Sequence, residues 1–428
     1  MRTRILCLIW IFLEQMSFAQ NKSHIAFINA TAHIGNGEVI ENALFVINAG
    51  KIESLNDIRG IKLNPLAFDT VIDLGNAHIY PALINCNSVL GLHDAEAVRA
   101  GQDFAEVGQL NPHIRALIAY NTDNVIVPTV KSNGVLYSQV TPRGGLICGS
   151  SSVMALEGWN WEDAVLKADD GIHLNFPRHV EALQGENDEQ YKKKLNVYKE
   201  QCEQLDLFFR EARAYFIQNG SSEINLRFEA MRKVFSGKAR LYVHADKARD
   251  ILKSIAFIQK YNIPLAVLVG AKDAAKVLEE IKASQIPVML NRVNDLPDRP
   301  DEDVDQVYRL PALLQNAGIL FCLQMEGDME AAQSRNLPFN AGSAVGYGLG
   351  KEQALAAVSL NAARIMGIEK LAGSLEEGKL ASFVLCQGDI LDIRGNRIIG
   401  AYLAGKQVNL NNRQTELYRI YMNKYNLR

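Results

Sequence analysis

Between about residue 81 and residue 370, short apolar runs alternate with stretches of helical periodicity, and that alternation leaves few architectures open. Strand–helix repeats of this kind bury a parallel sheet under helices. Eight runs have the length and residue types of strands: Leu83–Cys86, Gly134–Val140, Ser152–Leu156, Ile172–Leu174, Leu241–His244, Leu265–Val269, Val288–Leu290 and Ile319–Leu323. Eight strands close a (β/α)8 TIM-type barrel, whose chemistry is done at the C-terminal strand ends. His244 stands at such an end. It closes the run Ala239–His244, and a charged, Ala-rich helical pattern follows directly.

The flanks of the barrel read differently. Residues 20–80 hold short strands, among them Ala43–Ile47 and Lys51–Leu55 joined by an Asn-Ala-Gly turn. β character returns over 371–410, where Ala404-Gly405-Lys406 repeats the Ala49-Gly50-Lys51 turn. Two β segments at opposite ends of a chain, sharing a turn chemistry, point to one small β-sandwich domain. Residues 187–219 interrupt the barrel between the fourth and fifth strands. They are rich in Glu, Lys and Gln, with Leu, Tyr and Phe at helical spacing, and read as inserted amphipathic helix. A solvated decoration and a lid over the barrel mouth are both open there. Residues 411–428 read as a tail helix.

A hydrophobic content of 48% implies a substantial core, and a formal charge of −3 argues against a nucleic-acid surface. Residues 1–19 have a basic start, the apolar run Ile5–Leu13 and small residues at Ser17 and Ala19, the pattern of a cleaved secretory signal. The chain is therefore expected in the periplasm or outside the cell, with no membrane insertion after cleavage. Of six cysteines, Cys7 leaves with the signal. The five others are widely spaced and read as buried thiols rather than a disulfide or zinc framework.

The chain resembles the amidohydrolase superfamily over nearly all of its mature length. The residues that carry the resemblance are Val71–Leu74 leading to Ile79–Asn85, the segment Val243–Asp246, and the returns Leu360–Gly367, Gly373–Lys379 and Ala381–Val384. Arg335–Phe339 with Ala341–Leu349 is similar to imidazolonepropionase-like members. The resemblance implies hydrolysis of C–N bonds in amides or cyclic amides at one or two divalent metals. Their ligands would be a His-x-His on strand one, often a lysine or glutamate on strand four, and one histidine each on strands five and six. An aspartate on strand eight would move protons.

Against that pattern, Asn87 and Val89 occupy the His-x-His positions, Ile172–Pro177 contains neither lysine nor glutamate, and Gly270 or Val269 stands at the sixth-strand position. The fifth-strand histidine is kept as His244, and Glu326 falls nearest the aspartate position with Asp328 two residues on. The catalytic candidates are thus His244, Glu326 and Asp328, each with a purely structural alternative. Arg335, Asn336 and Asn87 are the substrate-binding candidates, Arg335 as a bidentate clamp on a carboxylate. No residue is assigned as a metal ligand and no cofactor is expected, with a single zinc as the alternative. The other histidines, His173 among them, lack ligand spacing, and the serines of Gly144–Ser152 read as a polar loop. Two functions stay open: an exported C–N hydrolase with an altered metal site, or a catalytically degenerate homologue. The first takes a small-molecule substrate. The second binds a ligand or a partner, as a homo-oligomer or beside an active homologue.

Overall fold

A computed structural model of the chain describes residues 24–94, 98–181, 187–218, 223–299 and 301–427, so the export signal expected over 1–19 lies outside the described residues. The strands are β1 (His24–His33), β2 (Val39–Asn48), β3 (Lys51–Asp57), β4 (Thr70–Asp73), β5 (His78–Pro81) and β6 (Leu83–Ser88). There follow β7 (Val135–Val140), β8 (Ile147–Ala155), β9 (Val165–Asn175), β10 (Arg240–Ala245) and β11 (Ala266–Gly270). The last are β12 (Val288–Leu290), β13 (Phe321–Leu323), β14 (Phe383–Cys386), β15 (Ile398–Leu403) and β16 (Lys406–Gln407).

Both ends of the chain build one sheet, in the order β16-β15-β14-β5-β1-β2-β3, with β4 pairing β1. The repeated Ala-Gly-Lys turns explain how the ends meet. Ala49 and Gly50 (φ 49° and 81°) match Ala404 and Gly405 (φ 46° and 77°), the doubly left-handed geometry of a tight hairpin. The two turns pack directly on each other. A Cβ on Gly50 would lie 2.7 Å from the Ala404 carbonyl oxygen, so only glycine allows the approach. Ala381 stitches them, its N–H donating to the Gly50 carbonyl (2.9 Å) and its own carbonyl accepting from Gly405 N–H (2.8 Å). Beneath lies a core of Phe27, Phe45, Ile47, Ile79, Phe383 and Tyr402, in which Phe383 meets Phe45 edge-on at 4.9 Å and stacks on Tyr402 at 4.7 Å.

The second sheet runs β6 through β13 in sequence order, and a parallel bridge between Cys86 and Gln324 joins its first and last strands into a barrel. All eight expected strands are present. One runs backwards: β8 is antiparallel to both β7 and β9. A parallel crossover needs a dozen or more residues, and only residues 141–146 separate β7 from β8. The chain can only turn back. The Ser-rich run expected as loop is therefore largely strand, with Ser150, Ser151 and Ser152 buried.

The insertion forms one helix, Asp188–Gln218, with Tyr198, Leu205, Phe208, Phe209, Ala212 and Tyr215 buried along one face. Phe209 packs on Phe235, Phe257 and Tyr261, and Phe208 on Phe228. These partners belong to the helices Leu226–Phe235 and Ala248–Lys260 and the latter's cap, so this half of the insertion clads the barrel's flank. The tail helix Arg413–Lys424 is closed by a capping box of Asn412 and Thr415 and buries no side chain of its own. Cys86, Cys148, Cys322 and Cys386 are buried free thiols, and Cys202 is free and partly exposed.

Candidate active site

His244 is the last residue but one of β10, beside Asn175 of β9, and strand alternation turns Tyr242 and His173, two residues lower, to the same side. A chain of hydrogen bonds descends from it. His244 Nε2 lies 2.9 Å from His173 Nδ1, His173 Nε2 lies 3.0 Å from Ser151 Oγ, and Ser151 Oγ donates to Asp170 Oδ1 at 2.6 Å. Asp170 also accepts from Gln139 Nε2 (2.9 Å) and Tyr242 OH (2.5 Å) through Oδ2. Three donors on one fully buried carboxylate is the pattern of an ionised group, although burial pushes its pKa upward against them.

That anchor orders the protons above it. With Ser151 donating downward, its oxygen accepts from His173 Nε2–H, His173 Nδ1 accepts from His244 Nε2–H, and His244 Nδ1 is left with a free lone pair. Nδ1 faces the mouth, 3.8 Å from Glu326 Oε2. Burial, and next to it Arg143, hold the His244 pKa down at about 4 against the pull of Glu326, so the ring is neutral at neutral pH.

Glu326 follows β13 and its side chain is 30% exposed. Its Oε2 accepts from Asn87 Nδ2 at 2.8 Å. Asn87 in turn accepts from Arg143, through Oδ1 from Nη1 (2.8 Å) and through its backbone oxygen from Nη2 (2.8 Å). Arg143 Nη2 also reaches Glu330 Oε1 at 2.9 Å, and Val89 N–H donates to the same oxygen at 2.9 Å. Burial would raise the Glu326 carboxyl, but Arg143 and His244 outweigh it and hold it below its usual range. Glu330, buried and facing Glu326, sits above its usual range despite the guanidinium.

Of the candidates read from sequence, His244, Glu326 and Asn87 converge. Asp328 lies exposed in the loop beyond, its backbone oxygen accepting from Arg292 at 3.3 Å. Arg335 and Asn336 stand elsewhere. The Arg335 carbonyl accepts from Asn133, which precedes β7 at the opposite end of that strand from the mouth, and Asn336 donates to Gln333. The short helix they belong to packs behind β6, where Asn85 donates to Ser334 at 2.8 Å. Their clamp role is therefore withdrawn. Arg143, His173, Ser151 and Asp170 were missed. The available signal was polar residues set within buried strands, Ser151 in β8 and Asp170 with His173 in β9.

The positions from which the resemblance draws metal ligands are filled by other groups. Val89 is buried and offers no donor atom. Gly270 has φ 94°, and a Cβ there would lie 2.4 Å from Asp246 Oδ1, so the Asp246 carboxylate takes the space a sixth-strand side chain would need. Gly270→Ala is accordingly expected to cost roughly 1–3 kcal/mol of stability, read by thermal denaturation. No group of three or more His, Cys, Asp or Glu among the described residues is placed to hold a metal ion. The donor set present does not fit a resident transition metal.

Residues 221–409 match the family model described as the amidohydrolase family. That stretch includes His244 and Glu326 and excludes β6 to β9, which carry Asn87, His173 and the reversed strand. No curated protein matches the chain. Among solved structures, an amidohydrolase from Thermotoga maritima MSB8 is similar with a TM-score of 0.78 at 21% identity, covering 90% of this chain and 99% of that one. Molinate hydrolase (TM-score 0.55, 12% identity, 91% and 95% covered) and phenylurea hydrolase B (0.52, 15%, 91% and 97%) share the fold. Residues 221–409 thus match the amidohydrolase family, and the chain as a whole shares the fold of a solved amidohydrolase.

Proposed function

We propose that this is an exported hydrolase of C–N bonds in small amide or cyclic amide substrates, working through His244 and Glu326 without a resident transition metal. The observation that carries the reading is His244 Nδ1 held 3.8 Å from the Glu326 carboxylate at the barrel mouth. A water between them can give its proton to Nδ1 while its oxygen attacks the carbonyl carbon. The imidazolium then returns that proton to the departing nitrogen. Glu326 orients the water and stabilises the imidazolium, and Arg143 keeps Glu326 ionised. Molinate hydrolase and phenylurea hydrolase B, which share the fold, support hydrolysis as the reaction class.

The test is turnover by the mature chain on a panel of lactams, cyclic dipeptides and N-acyl amides. His244→Ala and Glu326→Gln should each lower kcat/KM by roughly 10²–10⁴-fold. The acid limb of the pH profile should fall near pH 4, where His244 protonates, rather than near 6.5. Equal turnover in the His244 variant would remove the hydrolytic assignment.

A second reading is supported by the chain of contacts Glu326–Asn87–Arg143–Glu330, in which polar groups satisfy one another. On it the chain is a degenerate homologue that binds a small ligand or an active relative. Absence of turnover across the panel, with binding to one of its members, selects it.

A further inference from the structure

Arg143 owes its place to the reversed strand. It lies in residues 141–146, the short turn between β7 and β8 at the end of the barrel where His244 and Glu326 stand. Had β8 run parallel, a crossover helix would have carried this segment away over the barrel's outside. The hairpin drops a guanidinium into the mouth instead, with its side chain 19% exposed.

What surrounds it is what would surround a metal cation. Asn87, at a position where the resemblance places a histidine ligand, turns both its oxygens to Arg143 at 2.8 Å. Glu330 pairs with it at 2.9 Å, and Glu326 and the Cys148 thiol also lie within its field. Other titratable groups at the mouth include His244, His173 and Asp246, the last 3.9 Å from the exposed Arg178 guanidinium. The first two feel Arg143 as a repelling charge, and Asp246 fills the sixth-strand place.

We propose that the Arg143 guanidinium is this site's resident cation. It holds Glu330 and Asn87 in register, with Glu326 on the far side of Asn87, and excludes divalent metals from the mouth. A guanidinium stays charged at every physiological pH and cannot be lost to a chelator. It offers no open coordination position, so its contribution is charge and orientation rather than activation of a bound water. The assignment holds whether or not the mouth turns over a substrate.

The test uses the mature full-length protein, incubated with Zn²⁺ or Mn²⁺, dialysed, and assayed for metal content and melting temperature. The wild type should retain far less than one equivalent, and its melting temperature should not respond to either ion or to EDTA. Arg143→Met should melt several degrees lower and be partly restored by divalent ions that leave the wild type unchanged. If that variant does not fold, Arg143→Lys, which keeps a charge, should fold and stay free of metal. One equivalent of metal held by the wild type and lost in His244→Ala would overturn the proposal. So would an Arg143→Met protein as stable as the wild type, one that divalent ions leave unrestored, or an Arg143→Lys protein that binds metal stoichiometrically.

Discussion

Asp170→Ala is expected to lower the unfolding free energy by roughly 3–5 kcal/mol, measured as a fall in the urea midpoint at unchanged slope. Asp170 has no exposed surface and accepts from Ser151, Gln139 and Tyr242, all fully buried. Removing it leaves the Tyr242 hydroxyl without its acceptor and Gln139 and Ser151 with only longer contacts at 3.3 Å, losses of about 1–3 kcal/mol each at most, offset by relief of a carboxylate that burial already disfavours. The variant should also release the proton order of the column, because Ser151 is then free to donate upward to His173. Asp170→Asn, which keeps one acceptor oxygen, should lose less than half as much. A loss below about 1 kcal/mol for the alanine variant would mean the column does not anchor the barrel interior.

The second large effect is acid lability. His244 takes up a proton at about pH 4 when folded and at its ordinary value of 6.5 when unfolded. Between those values the unfolded chain binds a proton that the folded chain refuses, so stability is full above 6.5 and falls as the pH drops toward 4. The complete window corresponds to about 3 kcal/mol, since His244 is only 14% exposed and solvent screens it little. His173, pushed the same way by burial and by His244, adds to the slope. Glu326 is held below its usual range, and its contribution is lost lower still, as pH falls beneath 4.5. Asp170, Asp246 and Glu330 are raised and act in the opposite sense, each stabilised by acid. Melting temperature followed from pH 7.5 to 4.5 should therefore fall in the wild type and fall less steeply in His244→Gln. Superimposable curves for the two proteins would show that His244 is not buried as a neutral ring.

The outcome at the candidate site follows from how each residue's neighbours are specified. His244 and Glu326 could be found because each directly follows or ends an apolar run, and a strand end in a barrel is a mouth position wherever the strand lies. Asp328, two residues past Glu326, shares the loop but not the geometry, because nothing along the chain distinguishes the mouth from the solvent beyond it. Arg335 failed differently. It belongs to a segment that returns behind β6 to meet Asn133. Arg143 and His173 were passed over since their partners are remote: Arg143 meets Asn87 from 56 residues away and His173 meets His244 from 71.

Local sequence determined which segments are strands, since periodicity and residue type act within a few positions of each other. It determined as well that the two ends share a domain, because both carry the same Ala-Gly-Lys hairpin turn, its first two residues at positive φ. Tertiary structure decided the direction of β8, through a connection too short to cross the sheet, and with it the arrival of Arg143 at the mouth. It decided too that a buried serine, aspartate and histidine form one column from Asp170 up to His244. Hydrogen bonds across a barrel depend on which strands are neighbours, and strand order is a property of the closed sheet rather than of any window of sequence.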